Sequence, residues 1–218
     1  MRALVQKLSA VQEAALITTI FAGWFICSAF WVVLTGFPVA KFGYDNSKAI
    51  ALVVFELIAF CLAALVLRWR GWQLREFLFS VQWRDVLAAV LLLMLSVLVN
   101  FVLWYAITSH FDDGSILRKL AHPVAMSVGA AALMSIVNGA FEEFFLCRYL
   151  IERFRSSGAA FAVMLSAGIR MLYHVYQGPH GTLAVLAYGV IAGAYYWRTR
   201  SLGAVVLAHA LADLIALT

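Results

Sequence analysis

Two adjacent carboxylates, Glu142 and Glu143, interrupt an otherwise apolar stretch of the chain, NGAFEEFFLCRYL at residues 138–150. Placing a single Asp, Lys or Arg in the middle of a hydrophobic span costs about 2.5–3.5 kcal/mol, so ionisable residues in such stretches are candidates for a functional site. We single out six of them: Glu142, Glu143, Arg170, His174, His209 and Asp213.

The spacing of these residues predicts three polar helix faces. Asn138 and Glu142 lie four residues apart and share a helix face, from which Glu143 is turned by about 100°. The same spacing recurs in two later segments, in the pairs Arg170–His174 and His209–Asp213. A polar face turned towards lipid would leave its groups without hydrogen-bond partners. We therefore expect the three faces to lie against one another.

Such a cluster can activate water. A carboxylate and an imidazole from different helices can hold one water molecule, with the carboxylate as general base and the imidazole orienting the water. Attack on an amide carbonyl also needs donors for the developing oxyanion, which His209 and Asp213 could provide or orient. Ser166 and Cys147 lack the context of a nucleophile, and Cys147 is interpreted as a packing residue. The sequence contains no HExxH zinc helix.

The composition predicts that membrane helices position these residues. The chain is 65% hydrophobic and 12% charged, against about 45–50% and about 25% in soluble domains, and its mean hydropathy is +0.93. Apolar runs of about 20 residues can cross the ~30 Å hydrocarbon layer as helices, and the alternation of barrel strands is missing. We predict one all-α polytopic transmembrane bundle over residues 1–218, with seven or eight spans. Seven are placed near residues 14–36, 49–67, 86–108, 124–149, 158–177, 182–197 and 201–217.

The loop charges predict the orientation of the chain. With the N-terminus inside, eleven basic residues fall on the inner side and four on the outer side, namely Lys41, Lys48, Arg118 and Lys119. This excess favours a cytoplasmic N-terminus. It also explains the net charge of +5 without a nucleic-acid partner. Because no organelle signal is recognisable, we expect a prokaryotic inner membrane, with the lipid bilayer as the surroundings.

Three stretches, in this order, resemble the motifs of the CAAX-protease and bacteriocin-processing (CPBP, or Abi) family of intramembrane proteases. They are FEEFFLCRYL, RMLYHVYQG and LAHALADL, and the resemblance covers about residues 120–218. It implies glutamate-dependent hydrolysis of a peptide bond in a membrane-associated protein or peptide, without a metal cofactor. Candidate substrates are prenylated C-termini, sorting-signal tails, secreted peptides and bacteriocin leaders.

The resemblance also implies a role for each matching residue. Glu142 would be the general base and Glu143 its acidic companion. His174 would hold the water, and His209 with Asp213 would line the oxyanion site.

The sequence departs from the family pattern at three positions. The Arg of the EExxxR motif is replaced by Cys147, and Arg148 follows one residue later, about 100° around the helix. The Phe of FxxxH is Arg170, and the last motif ends in Asp213 where Asn is commoner. We hypothesise that Arg170 reaches across from the fifth span to neutralise Glu143. We count Arg148 among the supporting residues of the site, with Arg170 and Asn138, and expect its side chain to extend to the inner membrane surface.

Three other functions are compatible with the same residues. Intramembrane acids and histidines also form proton relays in transporters, although no inverted repeat or matched pair of broken spans is present. A catalytically inactive CPBP-like scaffold or immunity protein would retain the motifs. A zinc-dependent enzyme would use one Glu and two His as an open three-ligand site.

Overall fold

The computed structural model describes residues 2–36, 44–108 and 124–218, and nearly all of these are helical, as predicted. The helices are α1 (Arg2–Gln6), α2 (Ala10–Thr35), α3 (Asn46–Trp69), α4 (Trp83–Thr108), α5 (Val128–Glu143), α6 (Ala159–Leu172), α7 (Gly178–Thr199) and α8 (Leu202–Leu217). A π-helix, Phe144–Ile151, continues α5, and short 3-10 helices cover Leu74–Phe77, Arg155–Ser157 and Val175–Gln177. Two residues of strand, β1 (Tyr44–Asp45), pair in parallel with β2 (Val124–Ala125), which the all-α prediction did not include.

Four helical segments are long and apolar enough to cross a membrane: Ala10–Thr35, Asn46–Trp69, Trp83–Ala106 and Val128–Ile151. The bent pair formed by α6 and the segment Val175–Thr199 qualifies as a fifth when its parts are taken together, and α8 is a shorter apolar helix. The chain is therefore an integral membrane protein, and the number of seven spans stays a prediction. The outer basic residues Lys41, Arg118 and Lys119, and the first four residues of the predicted 120–218 core, lie outside the described residues.

Serine caps attach the helices that carry the motifs to their neighbours. Ser127 caps α5, and its own amide donates to Asn46 Oδ1 at the start of α3, at 2.8 Å. Ser201 caps α8, and its hydroxyl donates to Asp85 in the first turn of α4. A capping side chain is typically worth about 1 kcal/mol. Here each cap also joins two helices that are far apart in the sequence.

An aromatic cluster packs α2 and α3 against the π-helix. Phe21 of α2 stacks on Phe145, with ring centroids 4.9 Å apart, and Phe60 of α3 meets Phe144 edge to face at 5.0 Å. Aromatic pairs in these geometries contribute about 0.5–1.5 kcal/mol beyond the burial of their area. The first two long helices thus form a wall around the segment that follows the two glutamates.

A buried ion-pair cluster joins the helix ends on the predicted inner side. Glu13 of α2 is 2% exposed, and it pairs with Arg70 at 2.5 Å and with Arg153 at 3.2 Å. The hydroxyl of Tyr149 also donates to Glu13, at 3.1 Å. This acid lies within an apolar helix and was absent from the six candidates, and its partners indicate a structural role.

Glycines allow the motif helices to approach closely. A Cβ on Gly139 of α5 would lie 3.1 Å from Ala210 N and from Val206 O of α8. A Cβ on Gly189 of α7 would lie 3.1 Å from the Cα of Ala167 in α6. Small residues at helix contacts permit this backbone approach in membranes.

The fifth predicted span, 158–177, is shorter than expected as a helix. α6 ends at Leu172, and α7 begins at Gly178, earlier than the predicted residue 182. Gly178 has φ 77°, which a glycine adopts at no steric cost. Pro179 is tolerated in the first turn of α7, where its missing N–H would have no intrahelical partner. The Gly-Pro pair therefore opens a helix, whereas the sequence suggested a turn.

Candidate active site

Glu143 is the point at which the three motif segments meet. Its side chain is 0% exposed. Arg170 Nη2 of α6 donates to Oε1 at 2.6 Å, and His209 Nδ1 of α8 contacts the same oxygen at 2.8 Å. The Cys147 thiol of the π-helix donates to Oε2 at 3.2 Å. Hydrogen bonds to an ionised group are the strong ones in proteins, so Glu143 links α5 to both other motif helices.

Arg170 occupies the place that the sequence hypothesis gave it. It is 2% exposed, and its Nη1 lies 3.8 Å from Glu142 Oε2 as well as 3.5 Å from His209 Nδ1. The guanidinium carbon lies 5.0 Å from the ring centroid of Tyr188 in α7, a cation–π contact. A cation from a different helix thus stands beside both glutamates.

Glu142 has different surroundings from its neighbour. Its side chain is 13% exposed, and its Oε2 accepts a hydrogen bond from the Tyr173 hydroxyl at 2.6 Å. It lines a cavity of about 10 Å³ together with Phe21, Ala22, Phe25, Phe141, Phe145 and Tyr173. This volume is roughly what a single water molecule needs. The Glu142 side chain is therefore accessible to a small polar molecule, whereas the Glu143 side chain is not.

His174 lies in the break between α6 and the 3-10 helix that follows. Its Nδ1 is 3.0 Å from the carbonyl oxygen of Arg170. Because a carbonyl can only accept, Nδ1 carries the proton and Nε2 is the acceptor of the neutral ring. The ring is near enough to Glu142 for electrostatic interaction, but it is not part of the cavity wall. A water molecule held between Glu142 and His174 stays a prediction.

The last motif has Asp213 where an Asn amide is commoner, and α5 places the amide of Asn138 beside this position. Asn138 Nδ2 donates to Asp213 Oδ2 at 2.8 Å, and His209 Nε2 lies 3.6 Å from the same oxygen. The imidazole of His209 therefore stands between Glu143 and Asp213. Asn138, Asp213 and His209 are brought together as their spacing predicted.

Arg148 does not take part in this cluster, although it was counted among the supporting residues. Its Nε donates to the carbonyl oxygen of Glu76 at 3.3 Å, and its side chain lines a polar cavity of about 420 Å³ with Asp85 and Arg200. The one-residue displacement from the motif position turns it away from Glu143, and its extension to the inner surface stays a prediction.

Sequence reasoning missed three groups at the site. Cys147 was interpreted as a packing residue, and no pattern distinguishes a thiol that donates to a carboxylate. Tyr173 was not considered, although it precedes His174 directly. Glu56 of α3 is 1% exposed and interacts electrostatically with Glu142 and His209. An acid within an apolar run is the same signal that identified the other candidates, so Glu56 could have been found.

The zinc alternative needs three metal ligands grouped together. Within residues 2–36, 44–108 and 124–218, no group of three or more His, Cys, Asp and Glu side chains is arranged to hold a metal ion. His209 uses Nδ1 to contact Glu143, and His174 uses Nδ1 to donate to a backbone carbonyl. Metal-ligating histidines make the same kind of contact through their second ring nitrogen, so metal independence stays a prediction.

Comparison with protein families gives one match. Residues 124–215 match a family model described as Rce1-like, type II CAAX prenyl endopeptidase Rce1-like. The match includes all three motif stretches, and it agrees with the resemblance that those stretches show. Comparisons with curated proteins and with solved structures gave no match.

Proposed function

We propose that this integral membrane protein is a glutamate-dependent intramembrane endopeptidase. The premise is that residues 124–215 match the Rce1-like type II CAAX prenyl endopeptidase family. The unequal surroundings of the two glutamates carry the proposal. Glu143 forms hydrogen bonds with side chains from three segments. Glu142 accepts one hydrogen bond from a tyrosine and borders a cavity. A base must be reachable by water, and Glu142 meets that requirement.

The reaction follows from this division. The Glu142 carboxylate takes a proton from water, and the resulting hydroxide attacks the scissile carbonyl carbon. His174 Nε2, an acceptor in the neutral ring, orients the second hydrogen of the water. Glu142 then returns its proton to the leaving amine as the C–N bond breaks. One water molecule is consumed, and the products are a carboxylic acid and an amine.

The oxyanion of the tetrahedral intermediate needs preorganised donors. The Asn138 amide and the His209 ring lie next to each other around Asp213, and the Arg170 guanidinium is 3.5 Å from His209. We assign the oxyanion site to this side of Glu142. Glu143 orients Arg170 and His209 through its hydrogen bonds and does not react.

The substrate to test first is a peptide with a prenylated C-terminal CAAX sequence, because the matching family model describes prenyl endopeptidases. Sorting-signal tails, secreted peptides and bacteriocin leaders are the further peptide classes to compare. All are membrane-associated, which suits a site within apolar helices.

The decisive experiment compares the wild-type protein with Glu142→Gln. Cleavage of a fluorogenic farnesylated CAAX peptide is measured in liposomes, and cleavage of co-expressed membrane proteins is measured in cells. We expect the wild type to cleave and Glu142→Gln to lose at least about 100-fold in rate, the lower range for a general base. Glu76→Gln, an acid in the 3-10 helix Leu74–Phe77, is the matched control and keeps its activity. Equal cleavage by wild type and Glu142→Gln would refute the proposal.

A chelator separates the glutamate mechanism from the zinc alternative. We expect cleavage to survive 1,10-phenanthroline, because the proposed reaction uses no metal. Inhibition that added Zn²⁺ reverses would instead favour a metalloprotease. Proton flux without cleavage would favour a transporter, and a biological effect that survives both Glu142→Gln and His174→Ala would favour an inactive scaffold.

A further inference from the structure

Glu56 of α3 is a buried acid without a partner in the described part of the chain. It is 1% exposed, and neither carboxyl oxygen forms a hydrogen bond. The other buried acids of residues 2–36, 44–108 and 124–218 are all paired: Glu13 with arginines, Asp85 with Ser201, and Glu143 with Arg170. Burial of a polar group without a partner is costly. Because no described residue satisfies this acid, a group other than these residues, such as a bound substrate, has to do so.

The packing of α3 along α5 fixes the level of Glu56. Val53, three residues earlier, belongs to a hydrophobic cluster with Met134 of α5. Phe60, four residues later, contacts Phe144, which follows α5 directly. Residues three and four apart share one face of a helix. Glu56 therefore faces α5 between these two contacts.

That part of α5 carries Asn138 and Glu142. Asn138 is hydrogen-bonded to Asp213 of α8, and Glu56 interacts electrostatically with Glu142, Asp213 and His209. Glu56 thus lies beside the proposed catalytic cluster and reaches it from α3. His174 approaches the same cluster from the break that follows α6.

Burial of an unpaired charge costs far more than burial of the neutral group, so the Glu56 carboxyl group, which is 1% exposed and forms no hydrogen bond, is considered in its neutral form. A neutral carboxyl group offers one O–H donor and one carbonyl acceptor. A peptide bond offers the complementary carbonyl acceptor and N–H donor. We propose that Glu56 is a substrate-binding residue whose carboxyl group hydrogen-bonds to the main chain of the peptide held next to Glu142. This inference rests on the proposed function and adds a residue from outside the three motifs.

Binding measured on a Glu142→Gln background tests the inference without depending on turnover. The probe is a fluorescent farnesylated CAAX peptide, titrated against the protein in detergent or nanodiscs. We expect Glu56→Leu to raise the Kd about tenfold, since it removes both hydrogen-bonding groups. Glu56→Gln keeps a donor and an acceptor in a neutral side chain, and it should hold the Kd within about threefold.

Leu57→Ala is the matched control, because it alters the neighbouring residue of the same helix, which is exposed. It should leave the Kd unchanged. The thermal unfolding midpoint of Glu56→Leu should equal or exceed that of its parent, since an unpartnered buried acid is removed. A lower midpoint would indicate a purely structural role and overturn the inference.

Three further outcomes overturn it. They are an unchanged Kd in Glu56→Leu, a Glu56→Gln protein that binds as weakly as Glu56→Leu, and the absence of saturable peptide binding. Failure of the proposed function is seen separately, as an uncleaved peptide with wild-type protein or as equal cleavage by wild type and Glu142→Gln.

Discussion

At the scale of single residues, the cation beside the glutamates is the main departure from the family pattern. Arg170 stands where the resembling motif has Phe, and Cys147 stands where it has Arg. Both side chains donate to Glu143. The need for a cation could be predicted from the sequence, because a buried acid without its usual arginine requires another. The thiol donor could not be predicted, because free Cys usually behaves as a small apolar residue.

Loss of Arg170 should destabilise the fold strongly. In Arg170→Ala, Glu143 becomes a buried carboxylate without its guanidinium partner, and breaking a buried pair in this way costs about 3–5 kcal/mol. Unfolding in a detergent titration measures the change. Arg200→Ala is the control, because its pair with Glu152 is 40% exposed on the arginine side and is worth about 0–1 kcal/mol. Equal losses in both variants would contradict the assigned burial.

The two motif departures should compensate each other. Cys147→Arg places a second guanidinium near one carboxylate, and Arg170→Phe removes the guanidinium that pairs with Glu143. The double variant restores the family pattern, and we expect it to be more stable than either single variant. A double-mutant cycle should give a coupling of about 1–3 kcal/mol. Additive effects would show that the two positions are independent.

At the scale of elements, the π-helix and the break after α6 were beyond prediction from the sequence. The run Phe144–Ile151 is uniformly apolar apart from Arg148, so its hydrophobic pattern cannot distinguish i→i+4 from i→i+5 hydrogen bonding. π-helical turns often mark functional sites. The break at Tyr173 and His174 has no Gly or Pro of its own; the only turn signal is the Gly-Pro pair that follows. Helix existence was therefore predictable, whereas its local winding was not.

The close contact of α5 and α8 should be needed for activity. In Gly139→Ala the new methyl group lies 3.1 Å from backbone atoms of α8, so the helices must separate by a few tenths of an ångström. Overpacking of this kind costs about 1–3 kcal/mol, and small misplacements of catalytic groups lower turnover severely. We expect at least about a tenfold loss in kcat/KM in the peptide assay.

The control for this helix is Gly129→Ala. A Cβ at Gly129 meets nothing within 4 Å, and Ala favours helix over Gly by about 0.8–1.0 kcal/mol. Its activity should be unchanged and its stability equal or slightly higher. Full activity of Gly139→Ala would show that the α5–α8 spacing does not position the site.

At the scale of the whole molecule, composition predicted the class of fold and the periodicity predicted which helix faces meet. The aromatic cluster around Phe21 and the buried pairs of Glu13 were not predicted. A single sequence shows which face of a helix is polar. A helix that is apolar around nearly its whole circumference gives no such signal, so its packing partner cannot be predicted. The helices of the N-terminal half are of this kind, and their packing is set by side-chain shape.

The predicted orientation can be tested from both sides of the membrane. Ser47 and Ser156 are both exposed, and a cytoplasmic N-terminus places Ser47 outside and Ser156 inside. In a cysteine-free background, a membrane-impermeant maleimide should label Ser47→Cys in intact cells and Ser156→Cys only after permeabilisation. The reverse pattern would show that the N-terminus faces outwards.

The small cavity beside Glu142 limits how the proposed enzyme is supplied. Hydrolysis uses up one solvent molecule for each bond cut, and a space of about 10 Å³ stores roughly one. Every catalytic cycle therefore needs a new water molecule to enter a space lined largely by phenylalanine rings. The rate of that entry is a step of turnover separate from the barrier of bond cleavage.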